Sequence, residues 1–327
     1  VIHIALIGAG SIAGTHARAA NPEHLTITAA VDLNADAARN LAAQHGAAAF
    51  GSVDELLDAI AGGLKADAVL LCTPPSVRLR VLEKTATRGL HALIEKPVAT
   101  DAAEGEKIAR LASSHPDLVF AMGFCHRFTP AIQTMRALVG EGRVGRLIRF
   151  ENTFAFHHPP MREKWFSDPE ISGGGALMDA GCHSIDLFHF LVGPSESAGA
   201  VLDTPWPGRG ESGATALLRC NAGTHKGVCG VVVSGWMEGE KFEVRLVGEG
   251  GTLAYDYMKP TELHFSPVTG AAEVIPVETH DVRFTRQLSH FASVCANPSE
   301  INRRAPMAGV AEGVAAARTI GRALSRS

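Results

Sequence analysis

Ile2-His3-Ile4-Ala5-Leu6-Ile7-Gly8-Ala9-Gly10-Ser11-Ile12-Ala13-Gly14 opens the chain. An apolar strand-forming run stops at a glycine, a second glycine follows one residue later, and a helix-compatible segment begins at Ser11. Gly8 permits a tight turn, Gly10 lets a ligand approach the backbone, and the small Ala13 allows close helix–strand packing. The free N–H groups at the helix start then face an anion. A second strand over 25–31 ends at Asp32, where a carboxylate about 20 residues past the loop can accept bonds from both hydroxyls of a ribose. Loop and acid together read as a dinucleotide-binding turn: Gly8, Gly10, Ser11, Ile12 and Ala13 around a pyrophosphate, Asp32 on the adenine ribose. The bland reading makes the glycines a plain turn and Asp32 a cap for the helix that starts at Ala35.

The pattern continues outward from this turn. Short apolar strands over 1–7, 25–31, 68–72, 90–94 and 118–122 alternate with helices over 11–20, 35–45, 53–60, 76–88 and 102–112. Continuous apolar strands, rather than period-two ones, indicate a parallel sheet covered on both faces, so residues 1–122 are expected to form a doubly wound α/β domain. Beyond Gly123 the strands lengthen, begin to alternate and follow one another directly, over 147–156, 214–220, 224–236, 241–247 and 252–257. They predict an α+β domain over 123–327 with a large, mostly antiparallel open sheet. Its helices are expected over 130–138, 177–191 and 307–324.

Composition narrows the partners. The 327 residues are 46% hydrophobic and 20% charged, with a net charge of -4. That suits a globular protein with full cores and offers no basic field for nucleic acid. No apolar run approaches the roughly 20 residues of a membrane span, and the first residues are strand-like rather than leader-like. Six cysteines without a CxxC pair suit a reducing compartment. A cytoplasmic location is the expectation.

Two further clusters carry chemistry. Glu95-Lys96-Pro97 ends the strand over 90–94, which puts an acid and an amine where an α/β sheet opens toward its ligand, before a proline that fixes its own φ. Gly173-Gly174-Gly175 precedes a helix on which Asp179 and His183, four residues apart, share one face. Cys72-Thr73-Pro74-Pro75 closes another strand. These motifs, with Gly123-Phe124-Cys125-His126-Arg127-Phe128, resemble the glucose-fructose oxidoreductase, inositol dehydrogenase and rhizopine-catabolism (Gfo/Idh/MocA) family over nearly the whole chain. The resemblance implies an N-terminal Rossmann domain that binds NAD(P) and a C-terminal domain for substrate and oligomerisation.

The family's roles map onto matching positions. Thr73 and Pro74 border the cofactor, Glu95 holds the loop near the nicotinamide, and Lys96 contacts both nicotinamide ribose and substrate hydroxyl. A buried ammonium beside an oxidised nicotinamide is expected to have a lowered pKa. Asp179 and His183 line the substrate pocket, His183 taking the proton. The family often has a histidine where this chain has Arg78, and an asparagine where it has Cys125; a role for Arg78 stays open. His16 reads equally as a surface residue or a cofactor contact. Arg127 either binds substrate or ties the domains together. His157 and Trp165 lie in an aromatic, polar loop that suits a sugar face or packs under the sheet. Asp186 and His189 extend the Asp179 stripe and raise a divalent-metal reading, but no HExxH or cysteine set accompanies them, and no metal is expected. Asp32 repels a 2′-phosphate and neither Leu33 nor Asn34 can hold one, which makes NAD the expected cofactor and NADP the second choice.

The expected activity is hydride transfer between nicotinamide and a sugar, cyclitol or related polyol hydroxyl or ketone. Two other classes stay open: an NAD-dependent, redox-neutral glycoside hydrolase, and a non-catalytic NAD(P)-sensing regulator. A homodimer or homotetramer through the C-terminal sheet is implied by the resemblance, which leaves the particular substrate unspecified.

Overall fold

The computed structural model of the protein describes residues 1–296 and 306–325. Six parallel strands, β1 (Ile2–Ile7), β2 (Leu25–Val31), β3 (Ala48–Phe50), β4 (Ala68–Leu71), β5 (His91–Ile94) and β6 (Phe120–Met122), stand in the order β6-β5-β4-β1-β2-β3. They alternate with helices α1 (Ser11–Ala19), α2 (Ala35–Ala43), α3 (Val53–Ala61), α4 (Arg78–Ala86) and α5 (Ala102–Ser113). All four residues of β4 are buried, as a strand covered on both faces must be. The chain winds outward from β1 to β3, then returns to place β4 on the other side of β1. The switch point between β1 and β4 is where such sheets open a crevice at their carboxyl ends. The sequence does not announce β3, a three-residue Ala-Ala-Phe segment too short to show a pattern. The helix expected over 76–88 starts instead as a 3₁₀ turn, Pro75–Val77, and becomes α4 at Arg78.

The second sheet is built from β7 (Leu147–His157), β8 (Ser195–Asp203), β9 (Gly213–Cys220), β10 (Cys229–Gly235), β11 (Met237–Gly248), β12 (Gly251–Asp256), β13 (Glu262–Pro267) and β14 (Glu273–Pro276), in the order β14-β13-β12-β11-β7-β10-β9-β8. Helices α6 (Pro130–Gly140), α7 (Pro169–Ser172) and α8 (Ala176–Leu191) accompany it. Neighbouring strands are antiparallel except β7 and β10, which run parallel. The run expected over 224–236 is strand only from Cys229, because Gly223 and Gly227 take positive φ in the turn before it. Strands β8, β13 and β14 lie at the sheet's two ends, and their weaker apolar patterning hid them.

Helix α8 covers one face of this sheet. Its Phe188 meets Phe150 of β7 edge to face at 5.4 Å, and Gly230 of β10 leaves the room, since a Cβ there would come 2.7 Å from the Phe188 ring. The opposite face of the central strands carries an ion-pair ladder. Glu151 bonds Arg149 at 2.5 Å and Arg245 at 3.1 Å, and Glu243 bonds Lys241 at 3.2 Å.

The end of the chain divides. Helix α9 (Arg283–Cys295), which the sequence reading did not anticipate, precedes strand β15 (Ala308–Gly309) and helix α10 (Val310–Leu324). β15 pairs antiparallel with β6 and becomes the seventh strand of the first sheet. One compact unit is Val1–Ala99, Ala103–Cys125 and Phe284–Val314; the other is Thr100–Ala102, His126–Arg283 and Ala315–Ser327. No helix among the described residues is long and apolar enough to cross a membrane.

A buried ion pair anchors α8. Arg127 grips Asp186 with Nε at 2.9 Å and Nη2 at 2.6 Å, both side chains almost wholly buried. Removing one partner strands the other charge in the interior, so Arg127→Met should cost about 3–5 kcal/mol. The double variant Arg127→Met/Asp186→Leu should cost less, and denaturant midpoints measure both. His189, one turn further along, bonds Ser195 at 2.7 Å. Burial, aided by the Arg127 charge, pushes it down to about 4. The unfolded chain takes this proton near the usual histidine value of about 6.5. Between those pH values the unfolded state therefore binds more protons, and stability falls as pH drops through the window, by up to about 3 kcal/mol. His189→Asn should flatten that segment of the stability–pH curve.

Candidate functional site

The cofactor candidates of the first unit gather at the carboxyl ends of β1, β2, β4 and β5. Gly8 sits at φ +96°, and a Cβ there would lie 2.8 Å from the Cys72 carbonyl oxygen, so the turn requires glycine twice over. A Cβ at Gly10 would meet nothing within 4 Å, which leaves the backbone of the turn approachable. Helix α1 begins there with no side-chain cap on its N–H groups. Ser11, Ile12 and Ala13 thus form an uncapped helix start beside an open glycine, which fits a pyrophosphate.

Asp32 is not the cap of α2. Asn34 caps it, its side chain accepting from the N–H groups of Asp36 and Ala37. The Asp32 carboxylate accepts instead from Ala9 N–H at 2.7 Å and Asn34 N–H at 2.8 Å, which ties the end of β2 to the glycine turn. One lone pair on each oxygen remains for hydroxyl donors. Thr73 and Pro74 follow β4 at the switch point, beside Gly8.

The Glu95 carboxyl is buried at the end of β5. Its Oε1 bonds His16 Nε2 at 2.7 Å, and Oε2 accepts the Lys96 N–H at 3.1 Å. Burial alone pushes this carboxyl up, but the His16 bond and the His16, Lys96 and Arg78 charges outweigh it and hold Glu95 below the usual glutamate value. His16 is therefore no surface residue; it is 1% exposed. The buried spacing Ala13, His16, Ala17 on α1 was the available signal. Arg78 is equally buried and donates to the Thr73 carbonyl at 2.7 Å, to the Lys96 carbonyl at 3.3 Å, and to the Glu95 carbonyl. One guanidinium thus staples the segment after β4 to the segment after β5. The Lys96-Pro97 peptide bond is cis.

In the second unit Asp179 and His183 lie one turn apart on α8. The helix start is held by Glu211, whose carboxylate accepts Leu177 N–H at 2.9 Å and whose carbonyl accepts Ala176 N–H at 2.9 Å. The glycine triplet is demanded by this packing, since a Cβ at Gly173 would fall 1.9 Å from the Thr100 carbonyl oxygen and one at Gly175 2.0 Å from that of Glu211. With the cap supplied by Glu211, the Asp179 carboxylate accepts Trp236 Nε1–H at 3.1 Å. It also lines a cavity of about 640 Å³ with Phe156, Phe166, Phe242, His157, Lys164 and Glu240. Trp165 is not among the lining residues and is stacked on Phe166, which is, at 3.9 Å. Arg127 is engaged with Asp186, and His189 with Ser195, so the remainder of the Asp179 stripe is in structural use. His183 packs against His126 at 4.6 Å, a contact that the sequence gave no reason to expect.

Comparison with known proteins places this geometry. Residues 2–124 match the model of an oxidoreductase family with an NAD-binding Rossmann fold, and residues 132–254 match the GFO/IDH/MocA C-terminal domain. The chain is 29% identical over 219 residues to the rhizopine catabolism protein MocA of Rhizobium meliloti, a match spanning 66% of each chain. It is 25% identical over 309 residues to an inositol 2-dehydrogenase of Rhizobium meliloti, covering 89% of this chain and 86% of that protein. In fold it is similar to an inositol dehydrogenase homolog from Azotobacter vinelandii solved with NAD+, with a TM-score of 0.87 at 18% identity over 99% of this chain and 95% of that one. With family models matched over residues 2–124 and 132–254, most of its length, the chain belongs to the Gfo/Idh/MocA family of NAD-binding oxidoreductases.

Proposed function

We propose that the protein is an NAD-dependent dehydrogenase that oxidises a secondary or anomeric alcohol on a sugar, cyclitol or related polyol, or reduces the matching ketone. The observation that carries this reading is the placement of Asp179. It lies in a cavity walled by aromatic faces and hydrogen-bonding side chains, one helical turn from a histidine. Aromatic faces suit the C–H surface of a sugar ring, and carboxylates suit its hydroxyls. The inositol 2-dehydrogenase relative takes its name from a cyclitol.

A bound nicotinamide dinucleotide supplies the hydride acceptor in oxidation and the donor in reduction. The chain's own residues do the rest. Lys96 bonds the reacting oxygen and bears its developing negative charge, while His183 takes the hydroxyl proton. Asp179, steadied by Trp236, orients His183 or a neighbouring hydroxyl. Asp32 accepts from the adenine-ribose hydroxyls and disfavours a 2′-phosphate, hence the preference for NAD.

NADH formation across aldoses, inositols and sugar acids, with NADP in parallel, tests the reading. Turnover of a panel member with NAD preferred is expected; tight NAD binding without NADH from any of them would overturn it. His183→Ala should lower turnover by roughly 10² to 10⁴ with NAD affinity intact. Lys96→Met should lose more, and wild-type rates in either variant would remove that residue from the proposed chemistry.

A further inference from the structure

The contact between His126 and His183 leads one step further, and it rests on the reading of His183 as the proton acceptor. A ring nitrogen of His126 lies within 4.8 Å of one of His183, and the two rings meet edge to face at 74°. His126 Nδ1 is hydrogen-bonded to the Tyr257 hydroxyl at 2.7 Å. The ring also packs against Phe154 at 4.9 Å and against the Tyr257 ring at 5.2 Å. These supports are themselves fixed by the sheet. Phe154 belongs to β7 and is 3% exposed. Tyr257, just past β12, donates its N–H to the Phe242 carbonyl of β11 at 2.9 Å and packs on the buried Tyr255 at 4.8 Å.

The bond at one ring nitrogen of a histidine sets which face and which tautomer the ring presents elsewhere. The Tyr257 hydroxyl distinguishes Nδ1 of His126 from its carbon counterpart, so the ring cannot flip without losing the bond. Phe154 and Tyr257 restrict its tilt. The imidazole of His183 therefore rests against a surface of defined orientation carried by three strands. A proton-transfer group has to be held within about 0.5 Å and 10–20° of its working geometry by neighbours whose own rotamers are locked.

We propose that His126 is a positioning residue for His183, and that the Tyr257 hydroxyl acts through it.

The test is a mutant cycle on the full chain, using the panel sugar or cyclitol turned over fastest. His126→Phe keeps a ring in place but loses the nitrogen, and Tyr257→Phe loses only the hydroxyl. Each should lower kcat roughly tenfold to a hundredfold, the scale of a misplaced catalytic group, while KM for NAD stays within twofold (about the width of a kinetic error). His126→Phe should cause no further loss in a His183→Ala background, because a residue acting through His183 has nothing left to position. A purely structural role would instead lower the rate by the same factor in both backgrounds, and that result overturns the proposal. A slow His183→Ala enzyme beside a wild-type His126→Phe enzyme overturns it while sparing the role of His183. A wild-type rate in His183→Ala overturns both. Histidine ¹⁵N NMR needs no substrate: Tyr257→Phe should shift the ring resonances of both His126 and His183, and a shift confined to His126 would refute the coupling.

Discussion

A carboxylate sealed at the end of a buried strand sets the terms for everything around it. Glu95 has lost its water, and an uncompensated charge in such a place is costly. The protein answers with the His16 ring, the Lys96 backbone N–H and the nearby Arg78 charge. Each of these comes from a different part of the chain, so meeting the needs of one acid draws α1, the segment after β4 and the segment after β5 to a common point. The parallel strands alone bring these segments near one another. The buried acid decides how their ends are arranged, at the carboxyl end of the sheet where the proposed dinucleotide site lies.

The second unit solves a different problem with different means. Helix α8 must present Asp179 and His183 at a fixed height on a large sheet, and it is fixed along its length at three places. Glu211 and the glycine triplet seat its first turn, Gly181 and Gly230 let its middle sit down on the strands, and Arg127 holds Asp186 toward its end. Glycine here serves proximity between protein segments, and the positions of Asp179 and His183 follow from that proximity.

Much of this was legible in the residues, and the pattern of what was not is instructive. The doubly wound half could be read because each of its long strands is a continuous apolar run bounded by glycine, proline or acid; β3 escaped because three residues cannot display a period. In the other half, strands of the sheet's middle alternate clearly, whereas β8, β13 and β14 lie at its ends and have less apolar surface to bury. Helix α9 lacked a boundary signal, and the start of α10 was obscured by the two residues that pair with β6. For the site, spacing put Asp179 and His183 on one face and placed the acid at the end of β2. Spacing could not reveal His16 beneath Glu95, Arg78 across two strand ends, or His126 against His183, because each pairing joins residues far apart in sequence and depends on side-chain reach.

The pairing of β15 with β6 has a consequence for how the molecule is made. The first unit takes its last strand, and nearly all of α9 before it, from Phe284–Val314, so a nascent chain that has completed β1 to β6 still carries an open sheet edge at β6. An uncovered edge is a template for mispairing. Residues His126–Arg283 of the second unit must be synthesised before that edge is covered, and Gly313, beside Met122 and Val98, marks the seat kept for the late arrival. The two units are consequently not independent chapters of synthesis: the first is completed only after most of the second has been made, and a fragment cut after β6 lacks part of its own fold.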